Sequence, residues 1–214
     1  MKTEDNTLNY RSGIDLLRAI SALFVILIHL LPPIKTIELS SAWCAQKIMV
    51  SLFDTCINLF ALISGYLCWN KQFRWKRIIS MHITVLFYSI LCTMVATLFV
   101  EVSISDFVYS FIPLLSARFW YFSAYIAMCF LIPFMNKGIA CLSKSEGIRT
   151  IIGLLFAFTI LTFLKDGNVH GIGIRYGFST LWLSVLYICG GLIAKFQLND
   201  ILTKIRLVSI GLIS

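Results

Sequence analysis

IDLLRAISALFVILIHLL, residues Ile14–Leu31, is the stretch whose reading decides the fold. Asp15, Arg18 and His29 are its only ionisable side chains, and Ser21 is its only other polar one. An amphipathic helix of a soluble domain would carry a polar stripe every three to four residues, and none is present. A run of about 18–20 such residues matches the roughly 30 Å of hydrocarbon that a helix must cross. Glu4 and Asp5 precede the run and Pro32-Pro33-Ile34-Lys35 follows it, where a secretory signal would need a basic head and a small-residue cleavage site. The segment is therefore expected to be kept as a membrane helix.

Outward from this stretch the pattern recurs at Ile48–Trp69, Ile78–Val100, Phe119–Met135, Ile148–Leu164 and Phe178–Phe196, and a seventh run starts at Leu207. The 214 residues are 59% hydrophobic and 13% charged, against about 45–50% and about 25% in an ordinary soluble domain. With a mean hydropathy of +0.88, the apolar surplus exceeds what one core of this size could hide and must face lipid. The expected fold is all-α: a polytopic transmembrane helical bundle of six full spans and the start of a seventh, forming one domain over 1–214. Ending inside an apolar run suggests a chain truncated from a longer protein. Phe107–Leu115, interrupted by Pro113, is too short to cross and is expected at the outer interface.

The net charge of +8 would suggest nucleic acid as a partner of a soluble protein. Here the cations fall between apolar runs, so topology accounts for them and nucleic acid is not expected. With the N-terminus cytoplasmic, Lys35, Lys47, Arg118, Lys165 and Arg175 lie outside, and the other thirteen of the eighteen Lys and Arg lie inside. That bias obeys the positive-inside rule and predicts a cytoplasmic N-terminus in a cell inner or plasma membrane. The seven cysteines are scattered, with no CxxC and no Cys/His spacing suited to a metal, and read as buried thiols.

Ionisable groups inside spans cost a few kcal/mol each and call for a reason. Arg18 and His29 are eleven residues apart, three helical turns plus about 20°, so they share one face and stand about 16 Å apart along the axis. Asp15, at i−3 from Arg18, can pair with it. Arg18 could equally be a boundary anchor, and His29 a satisfied interfacial histidine. In the second span Asp54 is expected near the depth of His29, where a carboxylate would hold the imidazole tautomer and raise its basicity; with Asn58 it could instead be interhelical glue. Lys71-Gln72-Phe73-Arg74-Trp75-Lys76-Arg77 sets four cations and two aromatics in seven positions. Such a loop could bind anionic head groups, or clamp a phosphorylated nucleotide while Trp75 or Phe73 stacks on its base. Gly171-Ile172-Gly173 lacks the setting of a phosphate loop, and His82 and His170 read as structural.

Ile14-Asp15-Leu16-Leu17-Arg18-Ala19 with Ile26-Leu27-Ile28-His29 resembles the signature of the membrane acyltransferase-3 family, whose members include sugar and polysaccharide O-acetyltransferases. There an arginine and a histidine are separated by ten residues on the first helix. Asn58–Leu67, containing Ser64-Gly65-Tyr66, is similar to the family's second-helix motif, and Arg74-Trp75-Lys76-Arg77 to its arginine-x-x-arginine loop. Phe119–Tyr125 with Pro133, and Ser179–Trp182 with Tyr187, resemble later landmarks.

The resemblance implies a membrane enzyme that moves an acyl group, usually acetyl, from cytoplasmic acyl-CoA to a hydroxyl of a cell-surface glycan or its lipid-linked precursor, with no tightly bound cofactor and no metal. His29 would be the general base or relay, Arg18 an essential cation, Asp54 the partner of the base, and Arg74, Arg77, Lys76 and Trp75 contacts for the donor. Family members usually have about ten spans. Two alternatives stand beside this reading: a non-enzymatic exporter or flippase subunit whose polar path is lined by the same side chains, and an inactive truncated chain.

Overall fold

The computed structural model describes residues 2–31, 40–114, 119–164 and 179–198. Among them the chain forms seven helices and no strand: α1 (Lys2–Leu30), α2 (Ser41–Cys68), α3 (Trp75–Ala96), α4 (Ile104–Ser110), α5 (Trp120–Cys141), α6 (Lys144–Leu164) and α7 (Thr180–Phe196). Serines mark four of the starts. Ser40, Ser103 and Ser179 each accept the backbone N–H three residues on, satisfying a donor that the first turn leaves open. Ser143 and Glu146 do so reciprocally, the Ser143 N–H reaching the Glu146 carboxylate at 2.8 Å and the Glu146 N–H the Ser143 hydroxyl at 3.4 Å. The two bonds that Glu146 accepts from Ser143 hold its carboxyl below the usual range.

Among the described residues four helices are long and apolar enough to cross a bilayer: Gly13–Leu30 within α1, α2, α3 and α5. They differ from the expected spans at their ends. The Ser40 cap starts α2 at Ser41, about two turns before Ile48. The α5 helix runs through Pro133 and on to Cys141, past Met135. The expected fifth and sixth spans fall within α6 and α7. With 17 residues, α7 measures about 26 Å, short of the roughly 30 Å core. The apolar run from Leu207 lies outside the described residues. The expected interfacial segment, Phe107–Leu115, overlaps α4 over Phe107–Ser110; α4 is a two-turn helix ending before Pro113, and Leu115 lies outside the described residues.

The core is built around α7. Leu183, Tyr187 and Leu192 are fully enclosed and pack with Ala61 of α2 and with Met128 and Ile139 of α5. Two glycines allow this approach. A Cβ on Gly65 would collide with the carbonyl of Tyr187, and one on Gly190 with the carbonyl of Leu62. Backbones therefore touch on both sides of the α2–α7 crossing, the packing that small residues allow between membrane helices.

Polar pairs tie the same helices together. The Trp182 indole N–H donates to Asn58 Oδ1 (2.9 Å), and the Tyr187 hydroxyl donates to Asn136 Oδ1 (2.9 Å), whose amide donates to the Cys68 carbonyl (3.2 Å). The three Lys195 Nζ protons go to the carbonyls of Ile139, Ala140 and Leu142 at 2.8, 2.8 and 2.7 Å. A cation from α7 thus satisfies the open carbonyls at the end of α5 and meets the negative end of its dipole. In these contacts Trp182 meets α2 near its middle and Gly191 meets Trp69 at its end. The α2 and α7 helices are therefore parallel, and Lys195 brings the end of α5 to the same place.

The periphery is looser. Phe24 of α1 packs on Phe53 of α2 with ring centroids 5.1 Å apart, while Leu16, Leu23, Ile26 and Leu30 stay exposed. The N-terminal half of α3 meets α5 through Ile78, Ile126 and Cys129, and its Ile79, Ile83 and Phe87 are exposed. Such apolar faces suit lipid and not water.

Candidate functional site

At the end of the bundle where α2, α5 and α7 finish, the loop from Lys71 to Arg74 and the first turns of α3 arch over a cavity of about 830 Å³. Its mouth carries Lys71, Arg74, Lys76 and Arg77. Among the described residues no carboxylate lines it, and the only salt bridge is elsewhere, between Arg18 and Asp15. Arg77 donates a long hydrogen bond to the Cys68 sulfur at 3.5 Å. Four cations without an acidic partner around one opening favour an anion, and the guanidinium forks suit a phosphate.

The structure thus brings Arg74, Lys76 and Arg77 together. Trp75 does not line the cavity. Its indole packs edge-on against Phe73 (4.8 Å) and beside Phe130 (5.4 Å), and it is Phe73 that faces inward. The interior is less polar than the mouth. Ile78 and Met81 of α3 and Cys129 and Ile132 of α5 form its walls, and Ser64, Tyr125 and Tyr187 close it. The Ser64 hydroxyl donates to the Phe60 carbonyl at 2.7 Å. Its single proton being spent there, the Tyr125 hydroxyl, 3.0 Å away, is the donor to Ser64.

Sequence reasoning proposed the cations and missed this inner end. Ser64, Tyr125 and Tyr187 come from three helices, and none carries a charge to draw notice inside an apolar run. The signal available was their place in the segments that resemble family landmarks: Ser64-Gly65-Tyr66, Phe119–Tyr125, and Tyr187 itself.

Arg18 and His29 lie on α1, away from the cavity mouth. The Arg18 guanidinium meets the Asp15 carboxylate at 3.4 Å on the exposed face, each charge offsetting the cost of placing the other in a membrane helix. The exposed His29 ring directs Nδ1 at the Val25 carbonyl, 2.7 Å away. A carbonyl only accepts, so Nδ1 carries a proton, and in the neutral ring Nε2 holds the free lone pair. Asp54 is half-buried and forms no hydrogen bond with His29 among the described residues. The α1 and α2 helices, joined by a short connection, are antiparallel neighbours, and the Phe24–Phe53 contact sets their register. Asp54 is then level with Leu23, about 9 Å along the axis from His29. Ser64 is level with Gly13, about 24 Å from His29, and Arg18 lies between those depths. Among the described residues no three His, Cys, Asp or Glu side chains gather where a metal ion could be held.

A family profile described as an acyltransferase domain matches residues 11–214. No curated protein and no solved structure matches the chain.

Proposed function

Because the chain belongs to the acyltransferase-3 family, we propose that it takes an acyl group, acetyl in the first instance, from cytoplasmic acyl-CoA and delivers it to a hydroxyl of a cell-surface glycan or its lipid-linked precursor. The observation that carries this reading is the cavity. Its mouth has four unpaired cations for the donor's phosphates, and its interior is an apolar and aromatic pocket for the thioester end. The positive-inside bias supports a mouth at the cytoplasmic face of a cell membrane, where acyl-CoA is found.

In this reading Arg74, Lys76 and Arg77 hold the phosphates. Trp75 supports the loop by packing on Phe73 and Phe130 rather than by stacking on a base. His29 Nε2, about 24 Å along the axis from Ser64, receives the proton of the acceptor hydroxyl by relay. The acceptor oxygen attacks the thioester carbonyl, the C–S bond breaks, and CoA leaves as a thiolate that takes up a proton. His29 lies far from the mouth, as suits an acceptor approaching from the outer side, and Arg18 stands between the two with its charge balanced by Asp15. Asp54 acts on His29 through the field it contributes and not through a hydrogen bond.

Mass spectrometry of surface glycans from cells with and without the gene tests the reading. Loss of an O-acyl group on deletion, restored by the wild-type gene and not by His29→Ala, is the expected result. An unchanged acyl pattern would reject it.

A further inference from the structure

Away from its cationic mouth the cavity is lined by Ser64, Tyr125 and Tyr187, and the Tyr125 ring is held at both ends. Tyr125 is rooted in α5, and its hydroxyl donates to Ser64 of α2 at 3.0 Å. Ser64 is fixed in turn by its bond to the Phe60 carbonyl at 2.7 Å. The phenol therefore spans the gap between two helices. The ring packs on the buried core that contains Ala61, Met128, Leu183 and Tyr187. Tyr121 packs against Tyr125 with centroids 5.9 Å apart, and Ala61, Met128, Leu183 and Tyr187 are fully enclosed. Inward of Arg77 the lining includes no charged side chain, and Met81, Cys129 and Ile132 give it an apolar wall.

We infer that Tyr125, held by Ser64, sets the size limit on the acyl group that the cavity accepts, admitting short acyl chains and excluding long ones. The inference rests on the reading that this cavity takes the acyl-CoA donor with its phosphates at the mouth. A short acyl group ends before the ring. Each further methylene would have to displace a hydrogen-bonded phenol or pack into a filled core. A closed apolar pocket discriminates by about 10-fold or more per methylene that it cannot admit. Replacing the ring by a shorter apolar side chain converts that clash into burial, which favours each added methylene by about fourfold.

The test uses the detergent-purified chain, with apparent affinities read from thermal stabilisation by CoA, acetyl-CoA, butyryl-CoA and octanoyl-CoA. The wild type is expected to bind acetyl-CoA at least 10-fold more tightly than octanoyl-CoA. Tyr125→Leu, which keeps the site apolar, is expected to bring the two within about threefold, while Tyr125→Phe, which keeps the ring but frees it from Ser64, is expected to keep the wild-type order with the gap narrowed by about threefold. Equal binding of both donors by the wild type, or an unchanged order in Tyr125→Leu, would overturn the size limit and leave the donor reading intact. Absence of stabilisation by any of the four compounds, CoA included, would overturn the donor reading and the size limit together. Should Tyr125→Leu fail to fold, Ser64→Ala releases the ring from its anchor and is expected to narrow the gap by about threefold. A gap unchanged there overturns the inference.

Discussion

The α1 and α7 helices are both apolar, yet one is nearly bare and the other nearly sealed. The α7 helix touches α2, α5 and α6 and encloses Leu183, Tyr187 and Leu192 completely. The α1 helix leans on α2 through Phe24, buries Ser21, and leaves Leu16, Leu23, Ile26 and Leu30 uncovered. The helix with the most packing carries none of the residues expected to do chemistry, and the helix with the least carries Arg18 and His29. Stability and reactivity are thus assigned to different helices, and substitutions in the two should fail in different ways.

The sharpest contrast is expected at the α2–α7 crossing. Gly190→Val drives a branched side chain into the Leu62 carbonyl, where only backbone movement can relieve it. The expected cost is about 3 kcal/mol or more, seen as loss of monodisperse protein on size exclusion. Wild-type yield and melting temperature in that variant would break the comparison. On α1 the opposite outcome is expected. His29→Ala should lower acyl transfer by about 10²–10⁴-fold with the melting temperature unchanged, because the exposed ring bonds only its own helix. A destabilised His29→Ala protein would mean that α1 shares the structural role of α7.

Lys195→Met should cost about 2–3 kcal/mol, since three carbonyls at the end of α5 lose their donor together, and guanidinium or thermal unfolding would read it. Arg74→Ala and Arg77→Ala, on the mouth, are expected to weaken acyl-CoA binding by about 10-fold each, as loss of a charged hydrogen bond to phosphate does, with little change in melting. The smallest effect belongs to Glu146. Its carboxyl titrates below the usual range because the charged form accepts two bonds from Ser143. Its contribution is therefore present above the unfolded-state value near 4.5 and is lost as pH falls through the lower native value. Wild-type melting should drop slightly more between neutral pH and that acid window than Glu146→Gln does; identical profiles would remove the cap from the account.

How far these differences could be read in advance depends on what an apolar run reveals. Four helices of crossing length are legible because nothing but lipid explains so many exposed apolar residues. The role of α7 is not legible, because a helix packed inside other helices and one facing lipid draw on the same residues, and only its length of 17 residues sets it apart. The glycines are visible, but their partners are not: Gly65 meets Tyr187, and Gly190 meets Leu62, more than a hundred residues away along the chain. The cations at the mouth were legible as a cluster, since Lys71 to Arg77 are consecutive. The far end of the cavity was not, since Ser64, Tyr125 and Tyr187 converge only after three helices dock.

The position of α7 in the chain also bears on how the protein is made. Its seam on α2 is complete only once Phe196 has been synthesised, about 130 residues after Cys68. At 5–20 residues per second that is a delay of about 6–25 s. Throughout it the small-residue face at Gly65 and the Asn58 side chain lie in the membrane without the α7 partners they finally hold. Biogenesis of this bundle therefore passes through an unclosed intermediate whose polar groups need temporary shelter, from lipid head groups or from the insertion machinery, until α7 arrives.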